Sequence, residues 1–429
     1  MGTETPAKVG DGPLNVAQME MQVDPRAEWA QIYRETWRIQ REYFYDPKMH
    51  GTDWKAIYEK YRPLLADVGH RADLGYVIAM MGGELTVGHS YLTGAGDLPA
   101  EDRTSVGLLG ADLAVENGRY RISRIYSGEN WNPDLRAPLS APGIQVAQGD
   151  YLLEVNGRPL VPPVNPYSLF EGTAGRQTII RINKSPLMEG SRLVTVVPVA
   201  SEEGLRTRAW IEGNRRLVDK LSGGRLAYVW LPDTAGGGYA SFTRYYYAQQ
   251  EKEGAVIDER YNQGGMVADY IVNELDRKPM GFFALRDGQP STSPIAGIFG
   301  PKVMIINESA GSGGDALPYY FRLRKLGPLI GTRTWGGLVG TLGFPETMDG
   351  GGITAPNLAF YNLKGEWDVE NIGVAPDIEV EYTASEVIKG RDPQLERAVA
   401  EAMKLLQQNP VPRLQRPAPI DRVTRKPGN

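Results

Sequence analysis

The sequence contains no cysteine. That absence removes disulfide scaffolds, thiol nucleophiles, iron–sulfur clusters and cysteine-ligated zinc at once. It leaves the compartment open, because a thiol-free chain suits oxidising and reducing surroundings equally. Histidine is almost as scarce, with three in 429 residues. A multi-histidine metal centre is therefore not expected, and each imidazole can be judged singly. Nor is there a basic excess: 47 Lys and Arg against 52 Asp and Glu give a formal net charge of −5. That balance argues against a nucleic-acid partner, which needs a concentrated positive face. No run approaches the roughly 20 apolar residues of a membrane span. Met1 to Val23 lacks the basic start, apolar stretch and small-residue cleavage site of an export signal. The expectation is a protein without cofactor, metal or membrane span. It is placed in the cytoplasm, or in the periplasm or outside the cell if a signal has been removed.

What is present falls into stretches of different texture. Residues 1–24 are polar and dotted with Pro and Gly, which predicts a flexible lead-in. Asp24-Pro25 is a helix start, with Asp as N-cap and Pro at the first helical position. Trp29, Tyr33 and Trp37 then recur every four residues, and helical pattern returns over 54–65 and 72–81. Residues 25–103 thus read as a small helical domain. Over 104–200 short strand-like runs alternate with Gly, Pro and Asn; 119–125 alternates as a half-buried strand should, and Asn156-Gly157 ends another strand in a tight turn. From 205 to 408 strands and helices alternate. The strands are predicted at 226–231, 255–258, 303–307 and 329–332, and the helices at 239–251, 266–275, 316–325 and 394–407. That alternation indicates an α/β domain with a largely parallel sheet. Residues 409–429 read as a loose tail.

Four segments could carry chemistry. In 305–315 a buried strand runs into a small-residue turn, with Ser312 between Gly311 and Gly313-Gly314. Small neighbours expose a hydroxyl, and the N–H groups of the following helix start suit a developing oxyanion. Taken alone, the turn reads equally well as a Ser/Gly helix cap, and Pro318 is expected to delay or kink the helix start. A serine nucleophile needs a base. His50 lies in an exposed loop setting and His70 just ahead of a helix, as a surface or capping residue, whereas His89 lies in the Gly-flanked turn ending 83–91. His89 is the preferred base. The third segment, 258–265, is a strand end followed by Gly264-Gly265, a turn able to aim N–H groups into a crevice. The fourth holds Glu370, which could orient a base by hydrogen bonding.

The run 146–160 closely resembles the central signature of PDZ domains, in which Gly107-Leu-Leu-Gly110 would be the loop that receives a peptide C-terminus. Together with 258–265, 309–315, Gly331-Thr-Arg-Thr-Trp-Gly-Gly337 and 370–377, in that order, the chain resembles the tail-specific/tricorn family of serine peptidases. The resemblance implies a crotonase-like α/β catalytic domain with a PDZ-like β domain and an N-terminal small helical domain. In the tail-specific branch a lysine 25 residues beyond the serine is the base; here that position is Gly337. The tricorn branch uses a histidine before the PDZ domain, which His89 matches, and Glu370 matches its acidic member. The implied oxyanion hole is Gly313 N–H with that of Gly264 or Gly265.

Two positions depart from the branch. Gly88 replaces a serine before the histidine, so Ser90 becomes the candidate accessory hydroxyl. The substrate-binding residue after the nucleophile, acidic in tricorn, is Gly313, so no preference for cleavage after Lys or Arg carries over. The branch's large propellers are also missing, which suggests a compact relative or an excised catalytic half. The resemblance implies peptide or unfolded-polypeptide substrates and a homo-oligomer. Two alternatives stand beside the peptidase: a catalytically inactive family member that binds a peptide or small apolar ligand, and a crotonase-like acyl-CoA enzyme.

Overall fold

Asp24 opens the first helix as its sequence predicts. Its Oδ1 accepts the backbone N–H of Arg26 at 3.0 Å, and α1 runs Pro25–Tyr43. The computed structural model describes residues 19–94, 103–343, 345–411 and 416–419, so most of the expected lead-in and tail lies outside the described residues. The chain forms two units, Met1–Pro99 with Gly337–Asn371, and Ala100–Gly336 with Ile372–Asn429.

In the first unit α1 packs with α2 (Trp54–Tyr61) and α3 (Arg71–Gly83). Trp37 and Trp54 exchange indole N–H bonds to each other's carbonyl, at 2.8 and 3.0 Å, which pins α1 to α2. Ile32, Tyr33, Leu74, Met81 and Leu85 form the fully buried centre. Ile353 and Ala355 are buried in the same core. The sequence alone left 337–371 inside the α/β stretch 205–408; the structure puts it in this first unit. The short strand Gly352–Ile353 pairs antiparallel with Leu92–Thr93, and Asp349 makes a buried ion pair with Arg71 at 2.7 Å. Burial of two apolar side chains in a helical core drives this placement, and no local pattern announces it.

The second unit begins with an antiparallel sheet of β1 (Ala111–Glu116), β2 (Arg119–Ile125), β3 (Tyr151–Val155), β4 (Thr178–Asn183) and β5 (Arg192–Val196), in that spatial order. Asn117-Gly118, both at positive φ, make the tight turn between β1 and β2. The loop expected to receive a peptide end has its first two backbone donors already engaged. Gly107 N–H donates to Phe170 O at 2.9 Å, Leu108 exchanges both backbone bonds with Val199, and the space beside it is about 10 Å³. One water would fill that.

A helix unassigned from sequence, α4 (Glu203–Ser222), leads into β6 (Leu226–Trp230), α5 (Gly236–Tyr247), β7 (Gly254–Asp258), α6 (Ala268–Leu275), β8 (Lys302–Ile306), α7 (Gly313–Leu323), β9 (Leu329–Gly331), β10 (Ile378–Glu379) and, after a short helix at Ala384–Ile388, α8 (Pro393–Gln408). The five strands lie in the order β10-β9-β8-β7-β6, and every neighbouring pair is parallel. Leu226, Tyr228, Val256, Val303 and Ile305 share a cluster with Ile211 and Val218 of α4 and Leu395 and Val399 of α8. The alternate residues Ala227, Val229, Ile257 and Met304 are equally buried. Both faces are covered, which is why these strands read as unbroken apolar runs. Contrary to expectation, Pro318 does not delay α7, which starts at Gly313 and carries the proline inside. Its missing N–H falls opposite the carbonyl of Gly314, and the helix tolerates that single loss. Among the described residues no helix is long and apolar enough to cross a membrane.

Candidate active site

In the second unit the turn after β8 carries Ser312 at φ 58°, ψ −117°, a conformation non-glycine residues rarely adopt. Such backbone costs of order 1–3 kcal/mol and persists only where its surroundings enforce it. Here the enforcement comes from Asp315, which is fully buried. Its Oδ2 accepts Ser312 N–H at 3.0 Å, while Oδ1 accepts Gly336 N–H at 2.9 Å and the Thr334 hydroxyl. One carboxylate thus ties the serine turn to the 334–336 loop. Ser312 itself is half-buried.

The turn after β7 packs directly on it. Gly264 has φ +82°, and a Cβ there would lie 2.6 Å from Ser312 Cβ, so only glycine fits. A Cβ on Gly313 would meet Thr234 Oγ1 at 1.9 Å and Gly265 N at 2.7 Å. An acidic side chain at position 313 would displace Thr234, which gives the physical reason this chain keeps glycine there. Of the three glycines singled out from sequence, Gly264 donates its N–H to Asn262 Oδ1 at 2.9 Å. Among the described residues no acceptor meets the N–H of Gly265 or Gly313. Those two neighbouring donors are the ones available to an anion.

Two buried groups around this turn were not singled out from sequence. Arg260, fully buried, makes paired bonds to Asp258 at 2.9 and 2.6 Å and reaches Asp392 and Gln394 at 3.2 Å, anchoring the turn to the start of α8. Glu259 is fully buried, and among the described residues neither carboxyl oxygen has a partner. Burial above all, then the charges of Asp315 and Asp258, pushes its pKa well above the ordinary carboxylate value. The shift favours the protonated form of Glu259.

In the first unit His89 lies half-buried in the turn after α3, at φ 57°. Thr354 pins this turn: its hydroxyl donates to His89 O and accepts Tyr91 N–H at 2.8 Å. The rings of His89 and Tyr91 are 5.8 Å apart. Burial, and secondarily the Glu370 charge, pushes the Tyr91 phenol up. Glu370 accepts three backbone N–H groups, Gly88 at 2.7 Å on Oε1, and Leu338 and Val339 at 2.7 and 2.9 Å on Oε2. Its bonds hold the backbone next to His89. Ser90 Oγ accepts from Gln40 Nε2 at 3.2 Å, and Gln40 is itself fully buried, so the accessory hydroxyl is turned toward α1. His50 hydrogen-bonds Tyr45 and, through Nδ1, Leu85 O at 2.9 Å, while His70 caps α3 by accepting Ala72 N–H.

Residues 25–83 match the Tricorn protease C1 domain, 107–201 the Tricorn protease PDZ domain and 225–380 peptidase family S41. The Tricorn protease homolog 1 of Streptomyces coelicolor is 38% identical over 399 residues, covering 92% of this chain and 37% of that protein. The Tricorn protease of Thermoplasma volcanium is 33% identical over 386 residues, covering 90% and 37%. Among solved structures, the crystal structure of the tricorn protease aligns with a TM-score of 0.85 at 31% identity, covering 91% of this chain and 38% of the other. The chain spans less than half the length of these relatives.

Proposed function

Because this chain belongs to the tricorn-type branch of the family S41 serine peptidases, we propose that it hydrolyses peptides by acyl transfer through Ser312. Ser312 Oγ attacks the scissile carbonyl, His89 takes the proton and returns it to the leaving amine, and the acyl-enzyme is released by water. The oxyanion is assigned to the N–H groups of Gly265 and Gly313. Glu370 acts on His89 by fixing the backbone of its turn and by supplying negative charge that favours the imidazolium. The proposal takes its nucleophile from the second unit and its base from the first.

The observation that carries the reading is a serine at strained φ with two unclaimed backbone donors beside it. A backbone conformation of this kind is what an exposed nucleophile on a sharp turn requires. The substrates proposed are peptides or unfolded chains, and the working form a cytoplasmic homo-oligomer, to be checked by fractionation and light scattering. Ser312→Ala and His89→Ala should each lower peptide hydrolysis at least ~10³-fold. A fluorophosphonate probe should label wild-type protein at Ser312. A folded Ser312→Ala protein that still cleaves peptides at the wild-type rate would remove the assignment. A folded wild-type protein that neither cleaves nor labels is a binding module.

A further inference from the structure

We propose that an aromatic pocket beside the oxyanion turn takes a large apolar or aromatic side chain of the substrate, and so sets sequence preference. The idea rests on the peptidase reading. The pocket is an open cavity of about 680 Å³ in the second unit, walled by Trp210 of α4, Trp230 of β6, Pro232 and Tyr261, with Gln263 on its rim. Trp210 stands edge-on to Trp230 at 5.6 Å and to Tyr261 at 6.5 Å between ring centroids. Three rings in T-shaped contact leave faces and edges directed to one space, which suits another apolar or aromatic group. Tyr261 remains 41% exposed although it borders a core residue on either side. Its backbone is fixed, since Tyr261 N–H donates to Asn307 Oδ1 at 2.9 Å.

The position in the fold ties this pocket to the chemistry. It lies at the carboxyl ends of β6 and β7, where ligands of parallel sheets bind. Gln263 N–H donates to Pro232 O at 2.9 Å, and Thr234 N–H donates to Gly264 O at 2.8 Å. The pocket wall and the Gly264-Gly265 turn are thus one hydrogen-bonded piece, and Gly264 touches Ser312. A peptide whose carbonyl reaches Gly265 and Gly313 passes within a few residues of the three rings.

The ring lining favours an uncharged occupant over Lys or Arg. The buried Arg260 guanidinium already lies 5.5 Å from the Trp210 ring centroid, so a second cation would meet a ring whose π-cloud is engaged. At the rim Arg206 is paired with Glu202 and Asp112.

The test is a set of peptides differing at one residue, with Phe, Leu, Lys or Ala placed in turn at each position around the cut. Wild-type protein should favour Phe and Leu over Ala and Lys about tenfold in kcat/KM at one position. Tyr261→Ala, which opens the pocket, and Thr207→Trp, which fills it from α4, should each bring that ratio toward one. Circular dichroism confirms that each variant is folded, and two independent variants guard against one that is not. In parallel, Ser312→Ala protein should show a change of tryptophan fluorescence with the Phe peptide that is lost in the Ser312→Ala, Tyr261→Ala double variant. Cleavage with no apolar preference, or a preference untouched in both folded variants, overturns the pocket. Tyr261-dependent binding by a wild-type protein that cleaves nothing keeps the pocket and overturns the peptidase.

Discussion

The serine turn of the second unit and the histidine turn of the first are both strained, yet they are held in opposite ways. Ser312 is fixed by a carboxylate three residues along its own helix, with small neighbours supplied by the same short run. His89 is fixed by residues far off in sequence: Thr354 is 265 positions away, and Glu370 lies 282 from Gly88. A local clamp survives wherever its motif is kept. A remote clamp depends on the whole unit folding first.

Three substitutions sharpen that contrast, beginning with the largest effect. Glu370→Gln removes one of two acceptor oxygens that hold three backbone donors, and loses the charge near His89. Peptide hydrolysis should fall on the order of 10²–10⁴-fold, a larger effect than the accompanying loss of stability from the unpaired backbone donors. Steady-state kinetics beside a melting curve checks this, and unchanged kcat would end the positioning role. Asp315→Asn turns an amide donor toward the Ser312 N–H. It should destabilise the protein by about 1–3 kcal/mol as well as lower kcat. Loss of activity without loss of stability would show that Asp315 does not clamp the serine turn.

Glu259→Gln should have the smallest effect and the opposite sign. The folded protein raises this carboxyl, so the native state keeps its proton longer than the unfolded chain does. The stability it contributes is fully present below its ordinary value of 4.5 and is lost as pH rises from there toward the folded value. A glutamine has no proton to lose. The variant should therefore melt slightly higher than wild type at pH 8 and decline less between pH 4.5 and neutrality. Parallel melting curves over that range would refute the neutral-carboxyl reading.

The same contrast explains what could be read in advance. Strands 226–230, 254–258 and 302–306 are buried on both faces, so each is a continuous apolar run and is legible one residue after another. Ser312 stands out because its small neighbours and the Asp315 that bonds its N–H lie within four residues. α4 was missed although Leu205, Ile211 and Val218 mark a buried stripe, because Gly204 and Gly213 interrupt the pattern. The choice between Gly264 and Gly265 could not be made from composition, since it turns on one bond from Gly264 N–H to the Asn262 side chain.

By itself the sequence determined the α/β pattern and pointed to the Ser312 turn and, among three histidines, to His89 as candidates, because apolar periodicity and small-residue turns act between near neighbours. The absence of cysteine and the scarcity of histidine did the rest by elimination. Only the tertiary structure decided that 337–371 joins the helical unit, that Glu370 holds backbone amides, that Ser90 faces Gln40 and that Gly107 and Leu108 bond to Phe170 and Val199. Each of these is a hydrogen bond or a burial between distant positions. Their free energy depends on where the chain returns in space, which no local run of residues specifies.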